Sequence, residues 1–409
     1  MAANAKPLIL YDNRLDDGTP TATDTAAGYD VLNLKDLRTY TYWIAGGFGT
    51  KYVTVDTYAK SSVNMFNQAL FAGLGTMEVI TTWAILKSGC TIAKIAGGSS
   101  GNCMEMTRTS GDLQYSYLYL EDMTGFTLGL TYTIEAYVKS GTSGNEAFRI
   151  QIMSDHFDLL GEITGTSSGT WTKYSFEWLC TDVDPVVRLV KDTATAGTML
   201  FDEVAIYGGY IGTADSLAII GHNFAAAAAT VSVEMSNDNA AWTERLAGFT
   251  VSTDKALLKT FASVAARYWR LKIVTAAIAP RMAILMIGSR LDFERYAAGE
   301  WLGPQESIVA ESIRSETGNL LGSTLKYTGL SFDLSFRFLT LTWAESTFKS
   351  AWDDYLSLLK PFFFAPDVTN HATEVYFVKI PDNFKLRMPH TSGGTRRNLD
   401  LTFEGLKEA

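Results

Sequence analysis

The sequence predicts a mainly β protein built from two β-sandwiches, one inserted into the other, followed by a third β domain with one helix. Short runs rich in Val, Ile, Thr, Tyr and Phe, such as TYTIEAYVKS and TVSVEMS, alternate with clusters of Gly, Ser, Asn and Asp. The alternating strand YVTVDTYAK (52–60) stops abruptly, and a matching pattern resumes only at GTADSLAIIGHNF (212–224). Helical periodicity is strong only near residues 343–360.

The bulk composition restricts the classes of function. The chain has 409 residues, a hydrophobic content of 47% and a formal net charge of −10. This hydrophobic content is sufficient for several cores. The negative charge argues against nucleic-acid binding, which requires a basic surface. We expect no signal peptide and no membrane insertion, because the sequence contains neither a long apolar N-terminal region nor an uncharged apolar run of about 18 residues.

The first 289 residues read as a split domain interrupted by an insert. Residues 1–62 and 210–289 form the two halves of the outer sandwich, and residues 63–209 carry their own start, core pattern and stop. An insertion requires only that the two ends of the inserted domain lie close together. The sequence therefore predicts that the insert is a recognition module added to a scaffold.

Residues 290–409 form the third predicted domain. The segments around 300–340 suggest long, twisted hairpin strands. A helix is predicted over 343–360, where apolar residues recur every three or four positions and share one face. This face consists of Phe348, Trp352, Tyr355, Leu356 and Leu359. Pro361 is expected to end the helix.

The residues that usually carry catalysis are sparse. The four histidines lie far apart, and the GxSxG, P-loop and HExxH motifs are missing, so we predict a protein that is not an enzyme. The loop 97–102 resembles a phosphate-binding loop but lacks a lysine and a following helix, and it is interpreted as a hairpin connection. Cys90, Cys103 and Cys180 are interpreted as small buried thiols, with a Cys90–Cys103 bridge as the alternative.

The insert resembles a carbohydrate-binding module of the galactose-binding-like jelly-roll type. Four pieces match in the family's order: NMFNQALFAGLGTMEVITTWAI, YLEDMTGFTLGLTYTIEAYVKS, GTWTKYSFEWLCTD and TMLFDEVAIYGG. The resemblance implies a jelly roll and, more weakly, a sugar ligand. It also implies a possible structural calcium at Asp202, because the corresponding Asp of these modules often helps to bind that ion. The family often has an acid near the position of Phe71, which is apolar here; the alternative role for Asp202 is a hydrogen-bond acceptor at a strand end.

Aromatic side chains are the candidates for sugar binding, because sugar C–H groups stack on rings. Tyr115, Tyr117 and Tyr119 alternate along one predicted strand and so lie on one face of the sheet. Such a row is either a binding platform or packing at the edge of the core. The other candidates are Trp83, Trp171 and Trp178.

Two further resemblances concern the rest of the chain. Segments 12–45, 216–224, 230–242 and 266–274 resemble parts of a discoidin-type jelly roll, most specifically at RYWRL (267–271). The whole arrangement, with a C-terminal part similar to tail-tube domains, resembles tail-tip or baseplate (distal-tail-like) proteins of long-tailed bacteriophages. This implies a virion protein, synthesised in the host cytoplasm, that contacts other tail proteins and forms a homo-oligomeric ring. We expect six subunits, with three as the alternative.

Two main hypotheses of function follow from the sequence. The first is a structural tail-tip component whose jelly rolls touch host-surface glycans, with no cofactor apart from the possible calcium. The second is a secreted-type modular carbohydrate-binding protein that assists a polysaccharide hydrolase. A glycosidase is a third and weaker hypothesis, because any two of the many carboxylates could lie close together.

Overall fold

The computed structural model describes residues 6–67, 74–85, 90–108, 114–119, 126–193, 195–210, 212–297, 303–391 and 393–407. The described chain is mainly β, which confirms the predicted fold class. It divides into two compact units: a main unit of residues 1–57 and 212–409, and an inserted unit of residues 58–211. Among the described residues, no helix is long and apolar enough to cross a bilayer.

The main unit begins with four strands and two short 3-10 helices, Arg14–Asp17 and Val31–Lys35. The strands are β1 (Leu8–Asn13), β2 (Thr21–Ala22), β3 (Trp43–Ile44) and β4 (Gly49–Asp56). The strand predicted over 52–60 therefore ends at Asp56. Thr57 Oγ1 accepts a hydrogen bond from Gly212 N at 3.4 Å, so the two points where the main unit is interrupted are adjacent.

The inserted unit is a β-sandwich, and Met65–Asn67 forms a 3-10 turn. Its strands are β5 (Ala59–Asn64), β6 (Ala84–Ile85), β7 (Cys90–Ala96), β8 (Asn102–Arg108), β9 (Gln114–Tyr119), β10 (Thr131–Ser140), β11 (Ala147–Met153), β12 (Leu159–Thr166), β13 (Thr172–Leu179), β14 (Val186–Lys191) and β15 (Gly197–Tyr210). One sheet has the order β13-β10-β15-β8-β7, with β5 also paired to β15, and the other has the order β12-β11-β14-β9-β6. Alternate residues such as Ile134, Val138, Ile150 and Ile152 meet in the core between them.

The chain then returns to the main unit. The next strands are β16 (Thr213–Ile220), β17 (Thr230–Ser236), β18 (Thr243–Phe249), β19 (Leu257–Ala265), β20 (Tyr268–Thr275), β21 (Arg281–Met282) and β22 (Ile284–Asp292). The sheet β18-β17-β20-β4-β2 packs on strands β16, β19 and β22 around a core that includes Trp43 and Trp269. The two halves of the split domain thus share one core, although the interruption separates them in sequence.

The last part of the main unit extends the sheet that contains β16, β19 and β22. Its strands are β23 (Gln305–Arg314), β24 (Leu320–Thr340), β25 (Phe362–Ala365), β26 (Tyr376–Lys379) and β27 (Arg396–Leu406). One nine-stranded sheet runs in the order β19-β16-β22-β1-β25-β26-β27-β24-β23. Strand β1 pairs with β22 on one side and β25 on the other, so no break in the sheet occurs at the expected boundary near residue 290.

The predicted helix over 343–360 is present but irregular. It comprises a π-helix (Trp343–Phe348), α1 (Lys349–Asp354) and a 3-10 turn (Leu356–Leu358). Phe348, Tyr355 and Leu356 are buried as expected, whereas Trp352 is only partly buried. The placement of Leu359 on the buried face was wrong: it is 38% exposed, because the chain leaves the helix there in a left-handed conformation with φ +56°.

Candidate functional site

The outer face of one sheet of the inserted unit carries a row of polar side chains. Glu162 on β12 pairs in register with Gln151 on β11, Gln151 pairs with Arg188 on β14, and Arg188 pairs with Tyr117 on β9. Ile150 and Ile152, which flank Gln151, belong to the core. Because side chains alternate along a strand, Gln151 and its paired positions lie on the face opposite that core.

Hydrogen bonds join three members of this polar row. Gln151 Nε2 donates to Glu162 Oε2 at 2.8 Å, and Arg188 Nε donates to Gln151 Oε1 at 2.6 Å. Gln151 is only 3% exposed and uses both ends of its amide. The central amide therefore fixes the orientation of a carboxylate on one side and a guanidinium on the other.

A second arginine extends the polar row. Arg149 Nε donates to Asp192 Oδ2 at 2.6 Å, and its Nη1 lies 3.8 Å from Glu162 Oε2. The hydrogen bond to Asp192 raises the pKa of Arg149 above its usual range. The extended row thus carries two guanidinium groups and two carboxylates, and the four charges sum to zero. The face offers both donors and acceptors without a net charge.

The floor beside the polar row is apolar and shielded from solvent. Met153, Val186 and Val190 are at most 3% exposed, although their positions are in register with the outer face. At this burial the three side chains support the polar row but do not themselves face a ligand; the members of the row that reach solvent are Arg149, Glu162 and Arg188, which are partly buried. Sequence reasoning did not select Arg149, Gln151, Glu162 or Arg188. A weak signal existed in FRIQIMS, where polar residues alternate with core residues.

The tyrosine row lies on the strand next to Arg188. In register, Tyr115, Tyr117 and Tyr119 stand opposite Val190, Arg188 and Val186 of β14. Their side chains lie outside the described part of the chain. The structure therefore places their backbone beside the polar row, and their role in stacking stays a prediction.

The three candidate tryptophans have different surroundings. Trp83 is 4% exposed and Trp178 is 2% exposed, both within the core of the inserted unit, so neither ring offers a face to a ligand. Trp83 Nε1 donates to Leu74 O at 3.2 Å, which satisfies its polar atom inside the core. Trp171 is only partly buried, and its Nε1 donates to Gly97 O at 3.3 Å.

Asp202, the candidate calcium ligand, is completely buried. Its Oδ2 accepts a hydrogen bond from Ser100 N at 3.1 Å and its Oδ1 accepts one from Glu203 N at 2.8 Å. Burial raises its pKa to about 6, although these backbone hydrogen bonds oppose the rise. Calcium requires converging oxygen atoms, whereas N–H donors converge on this carboxylate. No group of three His, Cys, Asp or Glu suited to a metal occurs among the described residues, and the donor set at Asp202 does not fit calcium.

The two cysteines whose side chains the structure describes are free thiols. Cys103 and Cys180 are free and buried, as expected for small core thiols. Cys103 pairs in register with Ile95, and Cys90 pairs with Arg108 at the far end of the same two strands. A Cys90–Cys103 bridge is not formed.

Comparison with known proteins gave structural similarity only. No family model and no curated protein matches the chain. A solved structure described as "CBM4 structure and function" is 18% identical, with a TM-score of 0.28, over 33% of this chain and 97% of that one. The CBM22-1 xylan-binding domain of Paenibacillus barcinonensis Xyn10C is 14% identical, with a TM-score of 0.27, over 33% and 90%.

Other matches are parts of larger proteins. An MgGH51 α-L-arabinofuranosidase is 15% identical with a TM-score of 0.27, and the match covers 32% of this chain and 23% of that one. The enzymatically active domain of tailspike protein 4 of bacteriophage CBA120 is 11% identical with a TM-score of 0.27, over 33% of this chain and 20% of that one. The chain thus spans about a quarter or less of these two proteins. TM-scores this low do not assign a function.

Proposed function

We propose that this chain is a non-enzymatic structural subunit of a bacteriophage tail tip or baseplate whose inserted unit binds a glycan of the host surface. The observation that carries the glycan part is the hydrogen-bonded row Glu162–Gln151–Arg188 on the outer face of the insert. Sugar hydroxyls both donate and accept hydrogen bonds, and this row presents both kinds of partner in fixed positions. The neighbouring tyrosine strand would supply rings for stacking.

The glycan part is tested by binding of the full chain to a broad glycan array. Gln151→Leu keeps the side-chain volume but removes both amide hydrogen bonds, so we expect affinity to fall about tenfold or more, equivalent to about 1.4 kcal/mol. The matched control is Glu135→Gln on the other sheet, where Glu135 pairs with Lys173 at 2.7 Å. If Gln151→Leu and Glu135→Gln weaken glycan binding equally, the ligand binds elsewhere on the chain. An array without any bound glycan would make the insert a spacer.

The same experiment tests the tyrosine prediction. If Tyr117 stacks on sugar, Tyr117→Ala should weaken binding without lowering the melting temperature, because a ring on a binding surface contributes little to the core. Unfolding of this variant would instead place Tyr117 in the protein interior.

A second observation supports the assembly part of the proposal. Residues 305–328, here named the arm, comprise β23, a turn and the first part of β24. β24 pairs with β27 only from Gly329 onward, so most of the arm is a two-stranded ribbon without a third strand in the described chain. Six large apolar side chains on it are at least half exposed: Ile308, Ile313, Leu320, Leu321, Leu325 and Tyr327.

A ribbon of this kind is unfavourable in isolation. Two-stranded hairpins are marginally stable in water, and exposed apolar edge strands promote association. Ile308 and Ile313 are five positions apart in β23 and so lie on opposite faces, which leaves apolar surface on both sides. Contact with further copies of the chain would cover these faces, and a head-to-tail arrangement would close into a ring.

Negative-stain microscopy and mass photometry of the purified chain test the assembly part. We expect rings, with six subunits favoured and three as the alternative. Replacement of residues 307–327 by a short Gly/Ser turn should give monomers that keep the melting temperature of the inserted unit. A wild-type protein that is monomeric at micromolar concentration would contradict the ring and favour the alternative, an accessory to a polysaccharide hydrolase.

A further inference from the structure

The loop that follows β7 in the inserted unit is held by two carboxylates. On its buried side, Asp202 accepts the hydrogen bond from Ser100 N. On its exposed side, Glu78 Oε1 accepts from Asn102 N at 3.0 Å and Glu78 Oε2 accepts from Asn102 Nδ2 at 2.6 Å. The loop 97–102 is therefore fixed from both sides by acceptors on chain segments remote from it.

The glycines of this loop fit these carboxylates closely. A Cβ on Gly98 would lie 2.6 Å from Asp202 Oδ2 and 2.5 Å from Asn102 O, and a Cβ on Gly101 would lie 2.4 Å from Glu78 Oε1. Gly101 also has φ +75°, a left-handed conformation that side chains rarely adopt. Glycine at both positions allows the backbone N–H groups to approach the two carboxylates.

The loop in turn holds a tryptophan. Gly97 N and Gly98 N donate to Gly101 O at 3.2 and 3.0 Å, which closes the loop on itself. Gly97 O is then directed to Trp171 Nε1. On the ring itself, Lys139 Nζ lies 5.8 Å from the Trp171 centroid. A continuous chain of contacts thus runs from Asp202 through the loop to a partly exposed ring.

We propose that this loop is a metal-independent clamp, in which Asp202 and Glu78 do the work that a bound calcium ion would do, and that Asp202 is a positioning residue for Trp171. A calcium ion would order a loop by gathering its oxygen atoms. Here the carboxylates order it by accepting its N–H groups, whose positive ends would repel a cation. The clamp does not depend on glycan binding.

The first test compares the full chain in calcium chloride and in EDTA by differential scanning fluorimetry. A ligand that binds only the folded state raises its melting temperature. We therefore expect the same melting temperature, within about 1 °C, under both conditions. A clear rise in calcium that Asp202→Asn abolishes would establish a calcium site and overturn the proposal.

The second test follows Trp171 directly by ¹⁹F NMR of protein labelled with 5-fluorotryptophan. Nine tryptophan signals are expected, and Trp171→Phe identifies the one of interest. Asp202→Asn should shift that signal, because its amide N–H₂ opposes the donors of the loop. Glu203→Gln, which removes the adjacent charge but no clamp hydrogen bond, is the matched control.

If Asp202→Asn fails to fold, the variant Glu78→Ala tests the positioning role instead. Glu78 is exposed, so its loss should spare the core while the Trp171 signal shifts or broadens. An unchanged Trp171 signal in Glu78→Ala, or in a folded Asp202→Asn variant, would overturn the positioning role.

Discussion

The inserted unit and the arm of the main unit differ in which side chains they bury: the insert buries charged side chains, whereas the arm exposes apolar ones. The insert buries charge: Lys191 is fully buried and binds Glu146, which is 5% exposed. The arm exposes apolar side chains, with Ile308 at 75% and Leu321 at 66%. A buried charge is tolerable only where an opposite charge and hydrogen bonds compensate it, so it indicates a self-contained rigid unit. Exposed apolar surface of this extent is what the proposed assembly would cover.

The largest effect is expected from making the arm polar. The triple variant Ile308→Ser, Ile313→Ser and Leu325→Ser should abolish assembly, since it removes the apolar surface that association would bury. The double variant Leu128→Ser and Leu159→Ser is the control, because these insert residues are 62% and 51% exposed but lie outside the arm. Mass photometry should find monomers only for the arm variant. Equal assembly of both would show that the arm is not the contact surface.

Breaking the buried charge pair of the insert should be the next largest effect. Lys191 Nζ donates to Glu146, to Thr193 Oγ1 at 3.1 Å and to Thr195 O at 2.9 Å. Lys191→Met would leave a buried carboxylate uncompensated, at an expected cost of about 3–5 kcal/mol. Urea denaturation measures this cost. The comparison is the less buried pair Arg149–Asp192, whose side chains are 38% and 16% exposed. Arg149→Ala should cost about 1 kcal/mol, and an equal loss of stability in both variants would contradict the contrast.

The helix of the main unit allows a sharper test of burial within one element. Phe348 is fully buried, so Phe348→Ala should cost about 3–5 kcal/mol. Trp352 packs at the edge of the same core, with its ring 5.8 Å from that of Phe384. Trp352→Ala should therefore cost clearly less than Phe348→Ala, although the sequence placed both residues on the same apolar face. Denaturation curves in which Trp352→Ala lowers the free energy of unfolding more than Phe348→Ala would contradict this assignment.

The smallest effect is expected at the core thiols. Burial raises the pKa of both Cys103 and Cys180 to about 11. The thiolate is the reactive form, so a Cys90→Ser variant should not react with Ellman's reagent at pH 8, and reactivity should rise only as the pH approaches 11 or the unit unfolds. Prompt reaction of the native variant at pH 8 would mean that the insert opens easily and is not the rigid unit described above.

Local sequence patterns predicted much of the fold. The run TYTIEAYVKS is a strand with the predicted bounds, Thr131–Ser140, because its alternating β-branched and aromatic residues match the two faces of a sheet. The long hairpin strands near 300–340 and a helix after Thr340 were also predicted. The position at which the helix ends was not predicted correctly, because the backbone leaves helical geometry at Tyr355. The Tyr355 hydroxyl donates to Pro361 O at 2.7 Å, and periodicity does not encode such a contact.

The candidate site could not be read from the sequence in the same way. Gln151, Glu162 and Arg188 occupy three strands, and their hydrogen bonds depend on the register of two strand pairs. A shift of one residue in either pair would send one of them to the opposite face. Trp83 and Trp171 show the same limit, since both are tryptophans beside strands and only one is buried.

By itself, the sequence determined which residues form strands, which alternate residues share a face, and that one domain interrupts another. These properties follow from the two-residue period of a strand and from local backbone preferences, which act over a few residues. The tertiary structure decided which strands pair, that β1 joins the two parts of the main unit into one sheet, and which apolar faces remain exposed. Pairing depends on the free energy of bringing distant segments together, and that energy belongs to the folded chain as a whole.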